Sequence, residues 1–286
     1  MKIKYFILLL ILTVLVSCSK EIPLLTNKVP DEKLIETLKK SKKCIKCDLQ
    51  NSNLNYFKLQ NSDLTEATLD ASSLNGVKLN NSKLEKTSFV NVDLSSAVLN
   101  KVTGKNADFS KSLLTKVSML SANLPESNFS NSDLSRSKLN NSKFDSSDFS
   151  DVTMNASDLS NVTITNSVLS NGNFNNTNFK GSKMNKSKFV EIQAKKSNFS
   201  KTKLMDTDFS KSNLENANFS NSNLTRAELN SSQLSNASFK GVDLTLASLQ
   251  KITGENINFT FAQMSKIDLS DSKITKSKFL KSNILK

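Results

Sequence analysis

From Leu49 to Ile284 a large apolar side chain returns at every fifth residue, and the phase never slips. Of 48 such positions, 45 are Leu, Ile, Phe or Met; the exceptions are Gly104, Ala194 and Gly254. A second register lies two residues earlier and is small or β-branched, as at Ser62, Ala67, Ser72, Val77, Ser82 and Thr87. Cys47 and Phe57 depart from it at one end, and Ile192, Ile252, Ile257 and Ile267 are its larger aliphatic members. The other three positions of each unit are mostly Ser, Asn, Asp, Lys and Thr. An amphipathic helix repeats near 3.6 residues and a half-buried strand at 2, so neither template fits an interval of five.

Units such as "NADFS", "SANLP", "NANFS" and "LTRAEL" resemble the A(D/N)LXX motif of the pentapeptide-repeat proteins. The resemblance covers residues 44–286. It implies an all-β fold, a right-handed quadrilateral β-helix with one unit per face and four per coil. The large residue and the small one two before it would both point inward. The arrangement is physically reasonable, because one pentapeptide cannot bury its own hydrophobe but stacked coils make a continuous core. Ser or Thr at the small site would satisfy turn backbone groups otherwise buried unpaired. The repeat gives about 12 coils and, at ~4.8 Å per coil, a rod roughly 58 Å long.

Counting in twenties assigns every unit to a face. Face 1 has centres 49, 69, 89 and onward; face 2 begins at 54, face 3 at 59 and face 4 at 64. Phe89, Phe109, Phe129, Phe149, Phe189 and Phe209 fall on face 1, and Phe179, Phe199, Phe219, Phe239, Phe259 and Phe279 form an unbroken series on face 3. Where Phe occupies one of these opposed faces, Leu or Met usually occupies the other, which reads as volume balancing in a packed core rather than an aromatic ligand site. The outward charges segregate as well. Face 1 carries ten acids and four bases; face 3 carries one acid, Asp158, and nine bases. Those bases are Lys58, Lys78, Lys101, Lys138, Lys180, Lys201, Lys240, Lys278 and Lys281, a candidate basic stripe for an anionic partner. Solubility and protection against edge pairing are the simpler use of the same lysines.

The remainder of the chain has a different texture. Lys2 and Lys4 precede an apolar run from Phe6 to Val16, too short to span a bilayer comfortably and matching a secretory signal. It ends in Leu15-Val16-Ser17-Cys18, which resembles a bacterial lipobox. That resemblance implies a lipoprotein signal over 1–17, a lipid (palmitate-type acylation) on Cys18, and a tether over 18–30. With Ser19 next, it points to the outer membrane, facing periplasm or surface, if the cell is Gram-negative. Residues 31–43, "DEKLIETLKKSKK", have acids first and lysines last, which predicts a short capping helix with Leu34, Ile35 and Leu38 on one face. Cys44 and Cys47 form a CxxC with neither a βαβ context nor a second ligand pair. They fall in the inward registers before the first full unit and read as a structural pair, free or disulfide-bonded. "KVTGKNADF" and "KITGENINF" place Gly104 and Gly254 on opposite faces, which separates them from any shared groove.

Composition narrows the function classes. The chain has 286 residues, no histidine or tryptophan, and a net charge of +13. Histidine is the side chain best suited to proton transfer near neutrality and the commonest metal ligand. No nucleophile–base pair, phosphate loop or metal cluster stands out from the repeat, so no enzyme activity, cofactor, metal or small-molecule substrate is expected. The expectation is a membrane-anchored binding or scaffold rod at the bacterial cell envelope, held through its lipid, with an unidentified protein or anionic surface as partner. Homo-oligomers are a further expectation, either end to end or with acidic face against basic face. The alternative is a DNA-mimic that binds topoisomerase, as in other members of that family. A basic chain bearing an export signal opposes both that mimicry and nucleic-acid binding.

Overall fold

Every fifth residue from Lys46 to Lys281 has a left-handed backbone, with φ between 51° and 63° wherever the residue is not glycine. This conformation presses Cβ against the neighbouring carbonyl, which Gly and Asn tolerate and β-branched residues do not. None of these corners is Val, Ile or Thr; Asn recurs, as at Asn51, Asn61, Asn216 and Asn221, and Gly76, Gly181 and Gly241 are glycine. Each corner turns the chain onto a new face. The computed structural model describes residues 31–284. The expected signal segment, tether and Cys18 lie outside the described residues.

Between corners the residue before each core centre bridges in parallel to the residue twenty further on, from Asp48 with Thr68 to Gln263 with Asn283. The bonds run both ways along the stack: Leu49 N donates to Thr68 O at 2.7 Å, and Thr68 N donates back to Cys47 O at 2.8 Å. Corner residues join in, with Asn51 N donating to Asp70 O at 3.0 Å. Only near the last coils does the ladder lengthen into two short strands, β1 (Thr253–Glu255) and β2 (Lys273–Thr275), paired in parallel. Four sides of five residues make the register of twenty, and the fold is the right-handed quadrilateral β-helix.

Both inward registers behave as expected. The large centres from Leu49 to Met264 are at most 1% exposed. On face 1, Phe89, Phe109, Phe129 and Phe149 stack at centroid distances of 4.8 to 4.9 Å. On face 3 the stack runs from Phe179 through Phe279, at 4.9 to 5.3 Å. Where both faces carry Phe the rings meet edge-on, as for Phe199 and Phe209 at 5.5 Å and 82°. Phe174, on face 2, reaches into room left by Gly172, where a Cβ would lie 2.4 Å from its ring. Gly254 is the converse case, since Ile257 extends to within 2.9 Å of the absent Cβ. At Gly104 the space is taken by backbone, with the Leu84 carbonyl 2.5 Å from a notional Cβ.

The small-register hydroxyls close corners in the preceding coil. Ser127 N donates to Ser147 Oγ at 3.0 Å, and that hydroxyl donates to Leu124 O. Ser167 and Ser187 repeat the bridge one and two coils on. Where the next coil supplies Ala97 instead, the corner closes directly, Val77 N donating to Leu74 O at 3.1 Å. Ser52 and Ser62 Oγ have no partner among the described residues, because in the first coil no repeat carbonyl lies beneath them.

The first coil is covered by helix α1 (Glu32–Ser41). Asp31 caps its start, accepting from Leu34 N at 3.0 Å, and left-handed Lys42 ends it, donating its backbone N–H to Leu38 O. Ile35 and Leu38 are buried against the coil and Leu34 is half-buried. The large Phe57 fits its small-residue register here, with the Lys39 ammonium 4.4 Å above its ring. Cys44 and Cys47 are disulfide-bonded across the corner formed by Ile45 and Lys46. At the other end Leu269 and Ile274 are half-buried and Phe279, Leu280 and Ile284 exposed.

Two substitutions test this account by chemical denaturation. Asn216→Val should lower stability by about 1–2 kcal/mol through the left-handed corner, while Asn216→Gly should be tolerated. Phe219→Ala, in the middle of the face 3 stack, should cost about 3–5 kcal/mol.

Candidate functional site

Side chains one residue before each centre stand at the middle of a face, and those one and two residues after it flank the corner. All nine lysines of the candidate stripe are exposed. The ladder sets Lys58 beside Lys78, and Lys138 beside Asp158. Lys180, Lys201 and Lys240 instead occupy flanking positions, and Lys278 and Lys281 belong to the last described coil. The stripe therefore runs the length of the rod at roughly one lysine per coil. None of the nine forms an ion pair with another described residue.

Between its lysines, the middle of face 3 holds a column of amides that the charge count does not reveal. Asn178 Nδ2 donates to Asp158 Oδ1 at 3.0 Å, and Asn198 Nδ2 donates to Asn178 Oδ1 at 3.2 Å. The same two oxygens accept backbone N–H groups from Ser160 and Lys180, and Asn198 Oδ1 accepts from Ser200 N in turn. This column lies outside the phenylalanine stack of the same face, one residue out of phase with it. Burial pushes the Asp158 carboxyl up, but donation from Asn140, Ser160 and Asn178 outweighs it and holds the group below the usual carboxylate range.

Face 4 contains a second basic feature. Lys83, Lys143, Lys183 and Lys203 are exposed at mid-face, with Lys183 beside Lys203. A face total hides their position, because it merges four mid-face lysines and two mid-face acids with six bases and five acids at the corners; separating mid-face from corner registers would have found them. Several face 4 charges are paired along the stack. Lys83 lies 3.9 Å from Asp63 and Lys105 2.8 Å from Glu126, a contact that raises the lysine pKa. Arg226 grips Asp206 through two bonds of 2.6 and 2.8 Å, and this donation holds the Asp206 carboxyl low.

No group of three or more His, Cys, Asp or Glu residues able to hold a metal occurs among the described residues. No helix among them is long and apolar enough to cross a membrane. The geometry brings together outward charges in columns with a twenty-residue period.

The family model for pentapeptide repeats, in eight copies, matches residues 43–81, 72–103, 105–141, 114–151 and 237–275. A second, the pentapeptide repeat region, matches 142–219 and 162–239. The chain belongs to the pentapeptide-repeat family. Similar solved structures include HetL, a pentapeptide repeat protein involved in heterocyst differentiation regulation from the cyanobacterium Nostoc sp. strain PCC 7120. It is 20% identical, with 88% of this chain and 95% of that chain covered and a TM-score of 0.40. Full-length QnrB1, a plasmid-mediated fluoroquinolone resistance protein, is 16% identical over 72% of this chain and 93% of its own, with a TM-score of 0.27. Rfr23, a pentapeptide repeat protein from the cyanobacterium Cyanothece 51142, is 18% identical over 55% of this chain and 98% of its own, with a TM-score of 0.21. No curated protein matches this pentapeptide-repeat chain.

The Asp158 environment has a pH consequence. A carboxylate whose pKa is depressed on folding adds stability above its unfolded pKa, and that stability disappears as pH falls through the folded value. The stability difference between the native chain and Asp158→Asn should therefore shift against the native chain on acidification below about pH 4, as followed by denaturation at several pH values.

Proposed function

We propose that this pentapeptide-repeat chain is a non-catalytic rod, anchored to the bacterial cell envelope by lipid on Cys18, that binds an anionic partner along face 3. The observation that carries the binding part is the set of nine exposed lysines on one face without ion-pair partners among the described residues, beside faces whose charges are partly paired along the stack. Uncompensated charge along a flat surface attracts an opposite surface and speeds encounter with it. The anchor rests on the sequence Leu15-Val16-Ser17-Cys18 after a short apolar run. A net charge of +13 opposes imitation of DNA, which requires an anionic rod.

Two measurements test the parts separately. Metabolic labelling with a fatty acid should mark the native chain and fail for Cys18→Ala; equal labelling of both removes the anchor. Crosslinking in intact cells should capture a partner through face 3, and capture should fall at least about tenfold when Lys138, Lys201 and Lys240 are changed to Glu. Unchanged capture removes the basic face from the proposal.

A further inference from the structure

The rod treats its charges differently on different faces. On faces 2 and 4, Lys195 lies 3.0 Å from Glu215, and Arg226 and Lys83 pair with acids one coil away. Face 3 makes no such use of its lysines. Face 1 presents the opposite charge, with Asp108, Asp148, Asp208, Glu228 and Asp268 at mid-face. Asp148 and Asp208 are oriented by accepting backbone N–H groups from Ser150 and Ser210, both at 2.8 Å. Within the described residues the one ion pair on this face is Lys211 with Glu191, at its corner.

We infer that the anionic partner of face 3 is face 1 of a second copy of this chain, the rods packing side by side. The inference rests on the reading of face 3 as a binding face, and it stands whether or not Cys18 carries lipid. Faces 1 and 3 are opposite, so a copy displaced sideways without rotation brings one against the other. Both surfaces belong to the same helix and share one coil spacing, so charges in phase at one level stay in phase along the rod. In that displacement Asp148 lies within one coil of Lys138, Asp208 within one coil of Lys201, and Glu228 within one coil of Lys240. Lys188 on face 1 and Asp158 on face 3 are the mid-face exceptions, and they meet like charge. The face totals of ten acids with four bases against nine bases with one acid outweigh them.

The available area is sufficient. A face five residues wide and 12 coils long offers roughly 900 Å², against about 800 Å² per partner in an ordinary stable interface. The contact uses two different surfaces, so each added rod leaves one acidic and one basic face open, and the assembly grows as a ribbon rather than closing as a dimer. Displacement without rotation also leaves every N-terminus at the same end, which a common membrane tether requires.

Sedimentation velocity of the full chain in detergent tests this at about 0.02 M and about 0.5 M salt, where screening lengths differ several-fold. The native chain should sediment as assemblies at low salt and as the detergent-bound monomer at high salt. A basic-face variant (Lys138→Glu, Lys201→Glu, Lys240→Glu) and an acidic-face variant (Asp148→Lys, Asp208→Lys, Glu228→Lys) should each remain monomeric at low salt. Mixed in equal amounts they should assemble again, because each then offers the charge the other lacks; this outcome also shows that both fold. A native chain monomeric at low salt, assembly that ignores salt, or mixed variants that stay apart would overturn the inference. If the native chain is monomeric but face 3 still captures another partner in cells, side-by-side packing fails and the binding rod survives.

Discussion

The left-handed corner at every fifth residue is the constraint on which the rest of this molecule depends. It fixes the side of the square at five residues, and four sides fix the register of twenty. That register brings Leu49 N against Thr68 O and sets each phenylalanine over the next. A single corner in the wrong conformation would rotate all following residues onto the wrong face. Selection against β-branched side chains at these corners is therefore stricter than the general polarity of the surface suggests. Leu246 and Phe261 are accepted there, both unbranched at Cβ, although both are large and exposed.

Packing inside the square follows from the narrowness this corner imposes. Each side admits one large and one small residue, so volume gained at one position must be lost at a neighbour. Phe174 with Gly172, and Ile257 with Gly254, are such exchanges. The small register has a second duty, because a serine hydroxyl inserted beneath a corner accepts its N–H and donates to its carbonyl. Alanine and valine fill the same space without that bridge, and the corner then closes on itself. Core volume and backbone satisfaction are thus met by one residue class at one register.

Most of the fold was legible because its period is short and uninterrupted. The face of each phenylalanine, the inward direction of Cys44, and the role of serines such as Ser147 all follow from counting. The helix covering the first coil was legible from Leu34, Ile35, Leu38 and the charges at its two ends. Other features depend on contacts that counting by face does not describe. The spacing of Cys44 and Cys47 allows a disulfide without requiring one, and only the shape of the corner brings the sulfurs together. Arg226 and Asp206 are twenty residues apart, so their pairing needs both the register and the side-chain directions at a corner. The mid-face lysines of face 4 disappeared into a sum over positions that point differently. The proposed lipid attachment at Cys18 rests on local sequence alone.

A solenoid of this kind has a particular relation between structure and function. Any surface feature repeated at twenty residues becomes a line parallel to the axis, while a feature repeated at other intervals is scattered around the rod. Lines of charge can be neutralised internally, as with Lys195 and Glu215, where acid and base occupy successive places in one column. Each exposed pair of that kind contributes little to stability, roughly 0–1 kcal/mol. Placing acids in one line and bases in another, on opposed faces, gives up that small internal gain and creates two extended surfaces of opposite sign. Asp208 on face 1 and Lys201 on face 3 belong to separate columns and cannot meet within one rod, since the packed core lies between them. The separation leaves the fold intact and transfers the electrostatic interaction from within the chain to its surroundings. On a rod whose core is fully committed to packing, the outward columns are the surfaces left open to a partner.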